Sequence, residues 1–390
     1  MSAPARQPAG RAPSLGEDVV QRQEGNKVTT DLETIGMLRD SAARYADDNY
    51  SFHQRWAVLD TPEGYSRKAW SDFAEFGFLA LRLPEDDGGL DGDAVAVGAI
   101  MEIVGARLLM EPLLASSVVG TGLLLKLGSD AQKAALLPQL ADGSLVLALA
   151  DEDDAAKPCV FADGKLTGRK LGVLHGDIAG KLLVSAQDAA TGAAVVVLVD
   201  AAGAGVSRRT HKLVDGRGAA IVDFDGALAE LLQPAAGTRA DAALADIRDE
   251  AAVALCAESL GIVRSLVHIT TEYLKVRKQF GRVIGSNQAL QHRMVDCLLL
   301  QEEIRALTAA AQQALAGPAT ERTRIVSGAR AYVVHAARKV CNEAVQMHGG
   351  LGVTDELDVS HYFRRLMVNA ALFGNRDTHF GRFVDAALAA

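Results

Sequence analysis

The segment from Leu145 to Phe224 constrains the fold most, because its residue pattern differs from the pattern on either side. It contains short β-rich runs, LVLALAD, KLLVSAQ, AAVVVLVD and AAIVDFD, separated by turn pairs such as Asp163-Gly164 and Asp215-Gly216. Parallel neighbours need crossover connections of about a dozen residues or more, and these runs lie too close together for crossover helices. The segment therefore predicts a compact, mostly antiparallel sheet.

Helical patterns lie on both sides of this segment. Upstream, Ile35, Ala42 and Tyr45 belong to one apolar stripe at helical spacing, and Ser66 stands where a helix cap is expected. Downstream, the pattern is helical to the end of the chain, with a shorter pair of helices on either side of Gly374. The predicted long helices of this part span 239–280, 288–316 and 320–347.

These patterns predict a mainly α fold with a central β domain. Long helices with apolar stripes and short connections favour a four-helix-type bundle as the last unit. The opening residues are rich in Pro, Gly, Ala and charge, and are interpreted as a flexible tail. The expected divisions are a tail at 1–29, an N-terminal helical domain at 30–143, a small antiparallel β domain at 144–234 and a C-terminal helical bundle at 235–390.

Composition excludes several classes of protein. The 390 residues include 40 Lys plus Arg against 49 Asp plus Glu, a net charge of −9, which argues against a general nucleic-acid binder. No apolar run approaches the roughly 20 residues of a membrane span. The four cysteines are scattered without a CxxC pair, which favours reduced thiols in a cytoplasmic protein over disulfides or a zinc site.

Three motifs carry a resemblance to a known family. YLKVRKQFG, which begins at Tyr273, and QMHGGLG, which begins at Gln346, resemble the two C-terminal signatures of acyl-CoA dehydrogenases. LPEDDGGLDG, from Leu83 to Gly92, resembles a signature of that family's N-terminal domain. Because the motifs stand in the expected order, the resemblance covers nearly the whole chain. It implies the acyl-CoA dehydrogenase fold and an FAD-dependent α,β-desaturation of an acyl-CoA thioester.

The motif residues also suit a dinucleotide in physical terms. A pyrophosphate needs a cation, and Arg277 offers a planar and permanently charged donor. A double glycine after His348 ends a helix and lets a ligand approach the backbone closely. The resemblance implies that the AMP half of an FAD lies here, with its flavin mainly in the neighbouring subunit. The residues carried over are Arg277, Gln279, Phe280, Gln288, Gln346, Gly349 and Gly350.

The catalytic base of the family has no counterpart at its usual place. In the commonest subfamilies a glutamate precedes a Gly-Thr pair before the last helix, and the alignment from HYFRRL puts Gly374 there. Two alternatives remain open. Some members of the family carry the catalytic glutamate on the long helix, at the position of Ala251, and Glu250 is its neighbour. Asp377 lies in the first turn of the last helix. There the helix dipole favours the ionised carboxylate, which makes Asp377 a poor base. Glu258 has no identifiable partner, so a helix-surface or interhelical role is expected.

The β domain departs from the family pattern as well. The usual TEPxxGSD loop, which meets the flavin, is represented by ADEDDAAKPC from Ala150 to Cys159, and the usual Trp-Ile-Thr strand by Gly172 to Leu174. An acidic run from Asp151 to Asp154 is unfavourable near phosphates and would by itself be a solvated loop. The elements that cradle the chain's own flavin are therefore altered, while those that reach a neighbour's FAD are retained.

The sequence thus predicts the non-catalytic subunit of a heteromeric (α2β2) bacterial acyl-CoA dehydrogenase with FAD shared across a subunit interface. The expected partners are a paralogous catalytic subunit, an acyl-CoA substrate and an electron-transferring flavoprotein. A steroid side chain and a dicarboxylic acyl group both remain open as substrate. Alternatives are an active homo-oligomer that uses Glu250 or Asp377, a flavin-free structural or acyl-CoA-binding subunit, and an acyl-CoA oxidase.

Overall fold

The computed structural model of the protein describes residues 32–233, 238–279 and 281–389. The predicted tail at 1–29 and the cofactor candidate Phe280 lie outside these ranges. The order of the elements within them is helices, then a sheet, then helices, which confirms the predicted fold class.

The N-terminal part is helical, and polar caps define where its helices begin. Ser66 accepts a hydrogen bond from the amide of Ala69, as the sequence predicts, and Ser51 and Ser129 each form a capping box. The bounds are α1 Leu32–Asn49, α2 Phe52–Leu59, α3 Arg67–Glu75, α4 Ala94–Arg107, a π-helical segment Leu113–Gly120, α5 Thr121–Leu127 and α6 Asp130–Ala141.

A seven-stranded sheet follows, in the order β1-β4-β2-β3-β7-β5, with β6 paired to β7 and β5 also paired to β4. The pairs β1–β4 and β2–β4 are parallel and the remaining pairs are antiparallel, so the prediction of a mostly antiparallel sheet is confirmed. Val184, Val197 and Val222 belong to its buried core. The strands are β1 Leu147–Ala150, β2 Val160–Ala162, β3 Lys165–Leu174, β4 Lys181–Asp188, β5 Ala194–Asp200, β6 Val206–Lys212 and β7 Gly218–Leu231.

The C-terminal part is a bundle built around one long helix. The predicted long helices are confirmed to within a few residues, and the first ends at Val276 because a short hairpin follows it. The bounds are α7 Ala240–Val276, β8 Lys278–Gln279, β9 Arg282–Val283, α8 Gln288–Ala314, α9 Ala319–His348, α10 Asp358–Asn369 and α11 Arg376–Leu388, with 3₁₀ turns at Ile284–Ser286 and Gly349–Val353.

Helix α7 is the central element of the bundle. By length and composition it is the one helix in the described ranges that could cross a membrane, but 72% of its most apolar window is buried inside the protein. It crosses α4 where two glycines face backbone carbonyls. A Cβ at Gly105 would lie 1.9 Å from the oxygen of Glu258, and a Cβ at Gly261 would lie 1.9 Å from the oxygen of Glu102. Helix α7 therefore packs as a core helix, backbone against backbone.

Buried charges join the three parts of the chain, and we call Arg55, Asp215, Arg217, Glu258 and Arg365 the junction cluster. Arg365 on α10 pairs with Glu258 on α7 at 3.1 Å and with Asp215 in the β6–β7 turn at 3.1 Å. It also donates to the carbonyl of Leu109, just after α4, at 2.7 Å. Asp215 accepts in addition from Nε of Arg217 at 2.7 Å.

The position of Glu258 in the structure agrees with one of its two predicted roles and not with the other. Its interhelical role is confirmed, because its Oε1 accepts from Nη1 of Arg365 at 3.1 Å. The helix-surface alternative is wrong, since the residue is 0% exposed. A carboxylate this deeply buried is stable only with a cationic partner, and Arg365 lies 107 positions away along the chain, out of reach of local pattern analysis.

His361 is neutral at the edge of the junction cluster. Nη1 of Arg55 donates to its Nδ1 at 2.7 Å, and a guanidinium can only donate, so Nδ1 carries no proton. Burial, together with the charge of Arg55, lowers the pKa of His361 to about 4. His175 is buried nearby, and burial lowers its pKa to about 3.

We expect Asp215→Asn to destabilise the fold strongly. Burial alone would raise the pKa of Asp215, but Arg217 and Arg365 lower it below its usual value, so the carboxylate is ionised. Removing its charge leaves the buried guanidinium groups of Arg217 and Arg365 without this counter-ion. We expect the free energy of unfolding to fall by about 3–5 kcal/mol. Urea denaturation measures this change. The control Asp241→Asn removes an exposed carboxylate paired with Arg239 and should change the value by at most about 1 kcal/mol. Equal losses of stability for the two substitutions would contradict the conclusion that Asp215 is an ionised counter-ion of the buried arginines.

Stability should fall with acidification before the carboxylates titrate. The folded-state pKa of His361 lies below its unfolded value of about 6.5, so the unfolded chain takes up the proton first. The contribution of neutral His361 to the free energy of unfolding is complete above about pH 6.5, and it is lost as the pH falls towards about 4. Between pH 7 and pH 4.5, the free energy of unfolding measured by urea denaturation should fall less for His361→Gln than for the native chain. His268→Gln, the same substitution at an exposed histidine, supplies the matched control.

Candidate functional site

The two C-terminal signature segments meet at one end of the bundle. The rings of Tyr273 on α7 and His348 on α9 are stacked, with centroids 4.3 Å apart and planes 26° apart. Nδ1 of His348 bonds to the carbonyl of Ala344 at 2.8 Å, which holds the ring in place. Arg277 follows Tyr273 by about one turn and Gly349 follows His348 directly, so the stack brings both segments to the same end. Sequence reasoning missed this contact, although both aromatic rings stand at helix ends inside the motifs.

Arg277 is exposed at the end of α7. Its backbone is fixed, because its amide donates to the carbonyl of Tyr273 and its carbonyl accepts from the amide of Ile284, both at 2.9 Å. Its guanidinium makes no hydrogen bond or ion pair with any residue in the described ranges. A rigid backbone thus presents a cation whose hydrogen-bonding capacity is available to a ligand.

Three glutamines surround this arginine in the motifs. Gln279 lies on β8, where it pairs with Arg282 of β9, and Gln288 opens α8 behind the capping residue Asn287. Gln346 lies in the last turn of α9. All three are exposed, and their side-chain amides form no hydrogen bond within the part of the chain that the structure describes. Amides of this kind can bond to phosphate, ribose or adenine.

The double glycine leaves the surface open. Gly349 has φ +63° and ψ −142°, a backbone conformation that residues with a Cβ rarely adopt. A Cβ at either Gly349 or Gly350 would meet no atom within 4 Å. A flat ligand can therefore lie directly against the backbone that follows α9.

These residues fit one half of a dinucleotide site. A free guanidinium, three amides and an open glycine backbone supply the donors that a pyrophosphate and an adenosine need. The adjoining apolar residues are unusually exposed, with Val276 at 72% and Val353 at 71%. Exposed apolar surface beside such donors is typical of a protein–protein interface.

Family profiles match most of this chain. The profile described as acyl-CoA dehydrogenase, N-terminal domain, matches residues 33–144, and the profile described as acyl-CoA dehydrogenase, C-terminal domain, matches residues 244–388. The chain belongs to the acyl-CoA dehydrogenase family.

Individual relatives agree with this membership. Acyl-CoA dehydrogenase IpdE2 of Mycobacterium tuberculosis is 30% identical over 344 residues, which cover 88% of this chain and 94% of that protein. A solved structure of a variant of the Tcur3481-Tcur3483 steroid ACAD aligns with a TM-score of 0.83 and 27% identity, over 92% of this chain and 98% of the other. The ChsE4-ChsE5 complex from Mycobacterium tuberculosis aligns with a TM-score of 0.81 over 93% of this chain and 99% of the other. At 23% identity, this match shows a similar fold and no more.

The junction between α10 and α11 is ordered without a carboxylate. Oδ1 of Asn375 accepts from the amide of Thr378 at 2.9 Å and caps α11. Helix α10 ends at Asn369, and both Phe373 and Gly374 have positive φ, at +55° and +99°. Residues 370–375 read AALFGN, and the first carboxylate after them, Asp377, is exposed to solvent.

Glu250 does not have the surroundings of a general base. One of its oxygens bonds to Nη2 of Arg82, and the other lies 3.1 Å from Nζ of Lys126. Both carboxylate oxygens are therefore held by cations, so neither is free to take a proton from a substrate. Its neighbour Ala251, the position used by part of the family, is fully buried.

Three of the four carboxylates in the acidic run after β1 form ion pairs within the protein. Asp151 forms a bidentate pair with Arg248, at 2.7 and 2.8 Å. Burial alone would raise the pKa of Asp151, but Arg248 holds it below its usual value. Asp153 pairs at 2.8 Å with Nζ of Lys170, whose side chain is 0% exposed, and Asp154 pairs with Arg169 at 3.2 Å. Sequence reasoning found the acidic run and missed the three cations that pair with three of its four carboxylates.

The cross-linked run and the altered strand are parts of one region. Lys170 lies on β3 two residues before Gly172, and its Nζ also bonds to the carbonyl of Asp151 and to Oγ of Ser185, both at 3.0 Å. The loop after β1 aligns with the family loop that contacts the flavin. Here its aspartates form ion pairs with Arg169 and Lys170 of β3, which hold the loop against the sheet.

Proposed function

We propose that this chain is the non-catalytic subunit of a heteromeric acyl-CoA dehydrogenase and completes the FAD site of a catalytic, paralogous partner. The observation that carries the proposal is the open half-site at the end of the bundle, where Arg277 and three glutamines are exposed beside bare apolar surface. The ion-paired loop after β1 and the junction at Gly374 without a carboxylate support the same conclusion, because they leave this chain without the other half.

Each residue of the half-site has a defined task. FAD in this family accepts the β-hydride of the acyl thioester when it is bound. Arg277 would pair with the pyrophosphate and neutralise part of its charge. Gln279, Gln288 and Gln346 would bond to ribose, phosphate or adenine, and Gly349 and Gly350 would leave room for the adenosine against the backbone. Phe280, in the same motif, is proposed as a flat apolar contact.

The partner supplies what this chain lacks. The proton-abstracting glutamate and the loop against the flavin come from the paralogous subunit, so an α2β2 assembly holds two complete sites. An electron-transferring flavoprotein is the expected acceptor. The relative described as a steroid ACAD, at 27% identity, favours a bulky steroid-derived acyl group over a dicarboxylic one. A cytoplasmic location belongs to the same proposal, since all four cysteines are free thiols.

We expect Arg277→Ala to remove FAD from the complex. The chain is co-expressed with its paralogous partner, and bound flavin is measured by visible absorbance after desalting. Loss of a charged hydrogen bond costs about 1.5–3 kcal/mol, which weakens FAD binding roughly 10- to 150-fold. The matched control is Lys275→Ala, since Lys275 is an exposed cation two residues earlier that pairs with Glu272 on the same helix. A complex that keeps its full FAD content with Arg277→Ala would favour the flavin-free structural subunit instead.

A second experiment separates the proposal from an active homo-oligomer with a relocated base. Glu250→Gln and Asp377→Asn should leave the acyl-CoA-dependent dye reduction of the complex within about twofold of its original rate, because neither residue takes the proton. Removing a true general base lowers the rate about 10²- to 10⁴-fold. A loss of that size for either variant, or turnover with stoichiometric FAD by the lone chain, would refute the proposal. Oxygen consumption by the complex in place of dye reduction would indicate an oxidase.

A further inference from the structure

Helix α8 has apolar residues on both of its faces. Its inner face, which includes Cys297 and Ile304, is buried in the bundle. Its outer face carries Val295, Leu298 and Leu299, which are 53%, 48% and 58% exposed. The outer face of a surface helix is normally polar, whereas a helix that is apolar on both faces is covered on both. This pattern therefore marks the outer face of α8 as an interaction surface.

The outer face forms one continuous line of exposed positions, which we call the α8 seam. These positions follow each other along α8 at alternating steps of four and three residues, the spacing by which two packed helices share a contact line. The seam is about 27 Å long. Its residues are Val295, Leu299, Glu302, Ala306, Ala309 and Gln313, flanked by Leu298 and Ala310.

Side-chain size changes along the seam. The half near the start of α8 carries the leucines, and the half near its end carries alanines. In two seams that run in opposite directions about a twofold axis at the level of Ile304, Leu299 would face Ala309 of the second copy and Leu298 would face Ala310. Large residues against small ones fill the space between two helices evenly. Seams that run in the same direction would oppose leucine to leucine and leave a gap between the alanines.

The charges of the seam match in the same antiparallel register. Arg305 pairs within its own helix with Glu302 at 2.7 Å, and both side chains are about half exposed. In the antiparallel register Glu303 would face Arg305 of the second copy, so that each arginine gains an acidic neighbour across the axis. Asp296, near the end of the seam, would face the neutral amide of Gln312. The register that matches large residues with small ones therefore also matches acid with base.

We propose that the α8 seam binds the α8 seam of a second copy of this chain, in antiparallel orientation about a twofold axis at the level of Ile304. The occupant is the same chain because both members of each matched pair lie on this one helix, and a twofold axis repeats every contact. The inference goes beyond the proposed function and does not depend on FAD. The half-site faces the paralogous partner, whereas the seam joins two like chains and thereby two heterodimers into an α2β2 assembly.

The mass of the full-length chain in solution tests the contact, and light scattering after gel filtration measures it. The native chain should be a dimer. Leu299→Glu should halve the mass, because it places a charge without a partner against an alanine of the second copy. The matched control is Leu228→Glu, the same substitution at a leucine on β7 that is 75% exposed, and it should remain a dimer. Both variants should keep the circular dichroism spectrum of the native chain.

Cysteine cross-linking tests the orientation of the two helices. The four native cysteines are buried, so an introduced surface thiol reacts first. Copies with Leu299→Cys should form a disulfide with copies that carry Ala309→Cys when the two are mixed. Either variant alone should link much more slowly, since residue 299 lies about 15 Å along the axis from its own counterpart in the antiparallel register. Equally fast linking of Leu299→Cys with itself would indicate parallel helices and would overturn the proposal.

The complex with the paralogous partner separates this inference from the proposed function. There Leu299→Glu should reduce an α2β2 assembly to one heterodimer that keeps its FAD. Loss of the paralogous chain instead would show that the seam binds the paralogue, and this result would overturn the inference. A monomeric native chain, or a Leu299→Glu variant that stays dimeric, would overturn it as well. The FAD content of the Arg277→Ala complex is a separate readout, so the two proposals can fail independently.

Discussion

The guanidinium of Arg365 is the contact on which the arrangement of the chain depends. It holds Glu258 of α7, Asp215 of the sheet region and the carbonyl of Leu109 of the N-terminal helices in one buried place. Each of these groups would be costly to bury alone, and this arrangement of the three parts satisfies all of them at once. The pair with Glu258 fixes α10 against α7. One end of α7 presents Arg277, and the far end of α10 leads to the junction at Gly374.

Local patterns predicted much of this fold. The sheet, the long helices and the cap at Ser66 follow from residue spacing and residue type, which the sequence shows directly. The partners of the buried charges did not follow, because Glu258 and Arg365 are 107 positions apart and only the folded chain brings them together. The same limit explains why Asp151 was taken for part of a solvated loop, since its partner Arg248 is 97 positions away.

The candidate site was predictable as a set of residues and not as a surface. The motifs named Arg277 and the glycines after α9, but the contact that places them together, the stack of Tyr273 on His348, joins two helices. The exposure of Val276 and Val353 could not be inferred either, because it depends on what packs at the end of the bundle. That exposure is what led us to propose that the cofactor residues are half of an interface.

In the proposed assembly, the loop after β1 and the half-site divide one function between two chains. Ion pairs around Lys170 hold that loop on its own sheet, while Arg277 keeps free donors. The most direct test is a structure of the co-purified complex with its FAD. The account predicts one FAD for every two chains, with its pyrophosphate at Arg277 and its flavin in the partner. Flavin density against the sheet of this chain, beside Arg248 and Asp151, would contradict it.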